Sequence, residues 1–331
     1  MIPWPRFVEI VGAHQRFVLT THIRPDGDAV GSEVALAVIL ESLGKDVVVC
    51  NDFTVPPNLR FLNVPPRLRK LGVDVSEAQL ADREVLIVLD TTAWAQLRAM
   101  SEVIKKTKAV KLVIDHHQSG DDLGAELFKD TGAEATGSLV IEAADQLGVP
   151  LTPEIARPAF VALATDTGWF RFGSTTSATL RLAARLVDAG ASPDELYKAL
   201  YENDSHARLQ LIGRTLARSQ TDLGGRLICT WIERTDFTAT GALPSDSEDI
   251  INMLLSVGST EAAVILVEQP ASGFKISLRS RCQLDCSTLA EQFGGGGHKA
   301  AAGAFLNEPL ESARQKVLDA VRAAMQSSKT D

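Results

Sequence analysis

The sequence predicts an α/β protein in two parts: a parallel-sheet domain wrapped by helices, then a helical linker and a smaller C-terminal α/β domain. Three observations predict it. The chain has 331 residues, which at roughly 100–200 residues per domain points to about two domains. Its first half alternates short β-branched apolar runs with stretches at helical spacing, the pattern of strand–helix–strand units. After Gly224-Gly225 the character changes to strand-like runs with helices among and after them. The expected boundaries are 1–190, a linker at 191–221, and 222–331.

Residues 16–22 (RFVLTTH), 46–50 (DVVVC), 84–90 (EVLIVLD) and 111–115 (KLVID) read as buried strands, because they are short, β-branched and do not alternate. Between the first two, residues 30–44 place apolar side chains at helical spacing and stop at Gly44. Helical segments follow at 135–148, 152–166 and 175–190, the last closing on Gly190. The linker is polar at first and helical later. In the second domain 226–233, 262–268 and 274–280 read as strands, and 247–257 and the C-terminal residues as helices.

Composition narrows the function. Thirty-three Lys and Arg against 42 Asp and Glu leave a formal charge of −9, which argues against a broad basic surface for long nucleic acid. Aromatics are 5% of the chain, too few to stack a long single strand. At 45% hydrophobic and 23% charged, the chain is globular, and disordered, collagen-like and coiled-coil readings fall away. Early prolines and charges leave no room for a secretory leader, and no apolar stretch approaches the ~18 residues of a membrane span. A cytoplasmic protein without membrane contact is expected. Cys50, Cys229, Cys282 and Cys286 lack zinc-ligand spacing and are too few for a disulfide framework, so they read as ordinary thiols.

Ligands of open α/β sheets bind beyond the carboxyl ends of the strands, and the predicted strands end in candidate metal ligands. The first runs into HIRPDGDAVGS, which carries His22, Asp26 and Asp28. The third stops at Asp90, the fourth at Asp115-His116-His117, and the helix at 152–166 ends on Asp166. Taken alone, each aspartate is an ordinary turn or cap residue. Two adjacent histidines after a buried strand have no packing rationale, and the conjunction decides for a metal site. Mixed His and Asp donors suit manganese better than magnesium or calcium, which prefer oxygen shells. So many donors suit two ions ~3.5–4 Å apart, with Asp90 as the natural bridge.

In the second domain Arg279 and Arg281 lie on a predicted strand, followed by a helix and then by Gly294, Gly295, Gly296, Gly297 and His298. Consecutive glycines let backbone N–H groups approach a phosphate, and Arg279 adds a forked, charge-assisted contact. Trp169-Phe170-Arg171-Phe172 reads as core, and Lys105-Lys106-Thr107-Lys108 as a solvated helix end.

HIRPDGDAVGS, the solitary Asp90, IDHH and ATDTGWFRF, in that order, closely resemble the DHH phosphoesterase superfamily, and GGGGHKAAAG resembles its DHH-associated substrate domain. The combination is most similar to the NrnA group, oligoribonucleases that also act on 3′-phosphoadenosine 5′-phosphate (pAp). The resemblance implies hydrolysis of very short RNA (nanoRNA and dinucleotides such as pGpG) to mononucleotides, and of pAp to AMP. It implies two manganese ions, with magnesium or cobalt as substitutes, and in-line attack by a bridging hydroxide. His22, Asp26 and Asp90 would hold one ion and Asp28, Asp90, His116 and Asp166 the other, with Asp115 and His117 as catalytic residues in supporting or substrate-facing roles. Arg279, the four glycines and His298 would grip the end of a short oligonucleotide or nucleoside bisphosphate, on a monomer or homodimer.

Two runs depart from the group's pattern. After the histidines the chain reads QSGDD (118–122) where a Pro and soon an Asn are usual, and 91–97 (TTAWAQL) lacks an Arg often found there. These departures bear on substrate length and base preference. Other readings are a RecJ-like single-strand exonuclease, which the −9 disfavours, a cyclic-dinucleotide phosphodiesterase, and a pyrophosphatase, which would not carry the GGGGH domain. A nucleotide-binding regulator that lost catalysis would lack a metal ligand, and none is missing.

Overall fold

Apolar runs with no polar face need cover on both sides, and in the first half they pair into one parallel sheet layered between helices. The computed structural model describes residues 2–62, 66–118 and 120–327. They divide into two compact units, Met1–Asn203 and Asp204–Asp331.

In the first unit the order is α1 (Trp4–Ala13), β1 (Arg16–Thr20), α2 (Gly27–Ser42), β2 (Asp46–Asn51), β3 (Leu68–Lys70), β4 (Val85–Leu89), α3 (Ala99–Lys106), β5 (Val110–Asp115) and β6 (Glu126–Lys129). Then follow α4 (Thr136–Leu147), α5 (Pro153–Asp166), α6 (Ser177–Asp188) and α7 (Pro193–Tyr201). The strands lie in the order β3-β2-β1-β4-β5-β6 and every neighbouring pair is parallel. All carboxyl ends therefore reach one edge.

Side chains alternate across β1. Phe17 and Leu19 face a core shared with α1, α2, α4 and α5, while Val18 faces the other core with Met100, Val103 and Ile104 of α3. Helix α2 is buried on nearly every side, which explains its apolar composition all round. It packs directly on α5, so closely that a Cβ on Gly31 would overlap the Pro158 carbonyl oxygen.

The expected strands and helices of this half are present, with α2 starting three residues before the apolar pattern does. Helix α1 and the edge strands β3 and β6 are additional. Neither LRK nor ELFK stands out by composition; pairing with β2 and β5 makes them strands. Of the run 169–172, expected as core, Trp169 and Phe170 pack half-buried against it, with Trp169 edge-on to Phe160 and Tyr197, whereas Arg171 and Phe172 are exposed. Lys105 and Lys106 sit in the last turn of α3, paired with Glu102 and Glu77.

Segment 191–221 does not form a separate linker. Leu196 and Leu200 anchor α7 in the first unit's core, whereas Leu211 and Ile212 anchor α8 (His206–Ala217) in the second. The second unit continues with β7 (Gln220–Asp222), β8 (Leu227–Ile232), α9 (Arg234–Thr240), α10 (Ile250–Leu254), β9 (Ala262–Glu268), β10 (Phe274–Ser280), α11 (Cys286–Glu291), β11 (Gly296–His298), β12 (Ala301–Leu306) and α12 (Leu310–Ser327). Its sheet runs β11-β12-β10-β9-β8-β7 and is antiparallel except between β8 and β9. Helices α11 and α12 cover one face through Leu289, Val317 and Val321, and α8 and α10 cover β8 and β9 on the other. The helix expected at 247–257 is shorter, because Asp249 takes a left-handed φ of 64°. All four cysteines are free thiols. Among the described residues no helix is long and apolar enough to cross a membrane.

Candidate metal centre

The carboxyl edge of the first sheet collects the predicted donors. Asp26 is the N-cap of α2, its Oδ1 accepting from the amides of Asp28 and Ala29, both at 3.0 Å. Asp28 lies in the first turn of the same helix, Asp90 directly follows β4, Asp115 to His117 close β5, and Asp166 ends α5. Their donor atoms form three overlapping groups, each within 4.8 Å: His22, Asp26 and Asp90; Asp28, His116 and Asp166; Asp90, His116 and His117. Asp90 joins them, with Oδ2 at 3.3 Å from His22 Nε2 and Oδ1 at 3.6 Å from His116 Nε2. His116 Nε2 also lies 3.7 Å from Asp28 and 3.5 Å from Asp166.

Asp90 holds a left-handed φ of 59°, a costly conformation for a residue with a Cβ. It is fixed from two sides. Its amide donates to the Ile114 carbonyl at 3.0 Å, and Thr136 Oγ1 donates to its Oδ1 at 2.9 Å.

Asp28 and Asp90 are 1% and 2% exposed, and burial first, then repulsion from the other aspartates, pushes both well above the ordinary carboxylate range. Burial likewise raises Asp166 and lowers His22. Crowded acids of this kind stay ionised only against compensating positive charge, and a divalent cation supplies it. The mixed imidazole and carboxylate donors fit such an ion.

Asp115 behaves differently. It is fully buried, and burial alone would raise it, but hydrogen bonds from His117 and Lys129 bring it down to about 2. His117 is raised to about 9, chiefly by its 2.8 Å bond from Nδ1 to Asp115 Oδ1. Lys129 completes the group, with Nζ at 3.0 Å from Asp115 Oδ2.

Several supporting groups escaped sequence reasoning. The amides of Thr136 and Gly137, at the N-terminus of α4, donate to Asp28 at 2.7 and 2.9 Å, and Ser32 Oγ adds a third bond at 3.0 Å. The only signal was the hydroxyl-and-glycine start of α4 in ATGS. His116 Nδ1 meets the Ala133 carbonyl at 3.1 Å; with Nδ1 donating there, the Nε2 lone pair faces the carboxylates.

The two unusual runs dock on each other. Asp121 N donates to Thr92 O and Asp121 Oδ2 accepts from Trp94 N, both at 2.8 Å. Gln96 accepts from Ile23 N through its carbonyl at 2.9 Å and from Thr91 Oγ1 through its side chain at 3.0 Å. The segment without the arginine thus braces the loops that carry His22 and Asp90. Ser119 lies outside the described residues.

In the second unit the expected glycine loop is partly strand. Gly296, Gly297 and His298 pair with β12, and Cβ atoms on Gly295 or Gly297 would overlap β12 backbone. Gly294 takes a positive φ of 71° and Gly296 has open space around it. Arg279 pairs with Ala301, which pairs with His298, so the three stand abreast on one face with the small alanine between the two polar side chains. Arg281 instead donates to the carbonyls of Val257, Gly258 and Thr260 and pins that loop.

Comparison with known proteins agrees with this layout. The DHH family N-terminal domain matches residues 16–163 and the DHHA1 domain residues 230–327. The chain is 33% identical over 306 residues, 92% of its own length and 88% of the relative's, to a bifunctional oligoribonuclease and PAP phosphatase NrnA of Thermus thermophilus. It is 26% identical to the Bacillus subtilis protein of the same name, covering 90% of this chain and 92% of that one. Among solved structures, an exopolyphosphatase-related protein of Bacteroides fragilis superposes with a TM-score of 0.88 at 25% identity, over 97% of this chain and 95% of that one.

Proposed function

The chain belongs to the DHH family of phosphoesterases, and we propose that it hydrolyses very short RNA to mononucleotides, and pAp to AMP, with two manganese ions. The observation that carries this reading is the sharing of Asp90 between a His22–Asp26 group and a His116-centred group. His22, Asp26 and Asp90 would hold one ion, and Asp28, Asp90, His116 and Asp166 the other. When bound, such a pair supplies a nucleophile at neutral pH and positive charge against the attacking and leaving oxygens.

The chain's own groups do the rest. The α4 amides and Ser32 orient the Asp28 carboxylate, and the Ala133 carbonyl fixes the His116 ring. His117 is half exposed, and its bond to Asp115 raises it to about 9, which favours the protonated ring. One ring N–H is committed to Asp115 and Nε2–H remains to donate to a phosphate oxygen or to the departing alkoxide. Asp115, held ionised by Lys129, keeps that ring in place. Arg279 and His298, abreast across β10, β12 and β11, are the candidates for contacting one end of a short oligonucleotide or nucleoside bisphosphate.

The names of the two NrnA relatives support short RNA and pAp as substrates; a linear dinucleotide such as pGpG belongs to the same class. The test is release of mononucleotides from a diribonucleotide, and of phosphate from pAp, in manganese. Turnover no higher than that of an Asp90→Asn control would refute it.

A further inference from the structure

We propose that the first unit carries a second phosphate-binding subsite, beside the metal centre, which recognises the phosphate of a nucleotide that is not being cleaved. The geometry points to a cavity of about 410 Å³ at the carboxyl ends of β2 and β3. In the paired register Asn51 stands opposite Lys70, and Cys50 opposite Arg69. Because the sheet is wholly parallel, the cavity opens on the same edge as His22 and Asp90.

The walls have the composition of a nucleotide pocket. Phe53, Val55, Leu68 and Val73 give it apolar surface, and Arg60, Arg69 and Lys70 give it positive charge. The one carboxylate in the lining, Asp74, is engaged by the Lys70 amide at 2.8 Å. Among the described residues none of the three cations forms an ion pair, although the chain as a whole carries −9. Unpaired cations around a partly apolar hollow suit a phosphate with its nucleoside attached.

Asn51 makes the cavity part of the metal edge. It is 1% exposed, and its Oδ1 accepts from Thr21 N at 2.8 Å and Thr20 Oγ1 at 3.1 Å. Thr21 immediately precedes His22. The β2–β3 boundary lies two strands from the β1–β4 boundary, where His22 and Asp90 meet; at ~4.8 Å per strand that is about 10 Å. One nucleotide, from its phosphate to the far side of its base, spans such a distance.

This inference rests on the phosphoesterase reading of the metal centre and names the substrate feature it selects: a terminal phosphate that survives the reaction. KM and kcat would be measured in manganese for the diribonucleotides pApA and ApA, with the wild-type chain and with Arg60→Gln/Arg69→Gln. Both arginines are exposed, so the fold withstands the change. The expected result is at least a tenfold rise in KM for pApA, with kcat retained and KM for ApA unmoved. Equal effects on both substrates, or none, would overturn the subsite. Equilibrium binding of 5′-AMP against adenosine gives a second readout that needs no turnover: the wild type prefers AMP and the double variant loses at least tenfold of that preference. If neither dinucleotide is cleaved by the wild type, the proposed activity fails, and the binding arm still decides the pocket.

Discussion

Glu33 offers a test in which the magnitude follows from the structure. It is fully buried in α2; its Oε2 accepts from Asn51 Nδ2 at 2.9 Å, and among the described residues Oε1 has no hydrogen-bond partner. Burial pushes the carboxyl from its ordinary 4.5 up to about 8, against a smaller opposite pull from Asn51. Between those values the unfolded chain has released the proton and the folded chain has kept it, so stability must fall as pH rises. The slope is about 1.4 kcal/mol per pH unit, which accumulates to about 5 kcal/mol across the window and is flat on either side of it. Glu33→Gln keeps an acceptor for Asn51 and removes the proton. Urea unfolding of both proteins at intervals from pH 5 to pH 8 isolates the effect, because other titrating groups cancel in the difference. The variant should gain on the wild type steadily, becoming the more stable by several kcal/mol at pH 8. A difference that stays constant over this range would show that Glu33 is ionised in the fold, and the reasoning from burial would fail.

Other outcomes follow from the same structure. Manganese at about a hundred times its dissociation constant should stabilise the chain by about 2.7 kcal/mol, seen as a rise of roughly 5–10 °C in a melting scan; Asp90→Asn should lose most of that rise, since Asp90 belongs to two of the three donor groups. Lys129→Met leaves the buried Asp115 charge without its lysine and should cost about 3–5 kcal/mol, whereas Lys129→Met/Asp115→Asn should recover most of it; chemical denaturation of both variants checks this, and equal losses would mean that the pair is not coupled. Gly31→Ala would ordinarily gain about 0.5–1 kcal/mol in a helix, but overlap with the Pro158 carbonyl should turn this into a loss of about 1–3 kcal/mol, measured the same way.

What the sequence disclosed and what it hid differ by the range of the interactions. The four apolar runs of the first half declared themselves because they are buried on both faces and so carry no alternation. The strands β3 and β6 did not, since three or four residues of mixed character become strand only through a neighbour. At the proposed metal centre the candidate donors are legible because His and Asp at strand ends are conspicuous. Lys129 and the α4 amides were not, because nothing in FKD or ATG signals which carboxylate will lie opposite. By sequence the glycine run suits a loop open to phosphate, yet Gly295 and Gly297 are needed to lie flush on β12. Glycine tolerates a close approach without saying to what.

Asp26 shows that capping a helix and the proposed ligand role are compatible. A helix cap uses one carboxylate oxygen, and here Oδ1 takes both amide bonds while the side chain still joins His22 and Asp90 in a group of donors. Capping therefore fixes the carboxylate before any ion arrives. Asp28 follows the same logic through the α4 amides, and Asp90 through Thr136. Each bond would lower the cost of ordering the donor for a cation in the proposed site, so affinity would arise from secondary structure that the fold requires anyway. The acid excess is then local as well as global: carboxylates gathered at one sheet edge are held ready for positive charge, and the cations at Arg60, Arg69 and Lys70 stand two strands away, where a second phosphate would need them.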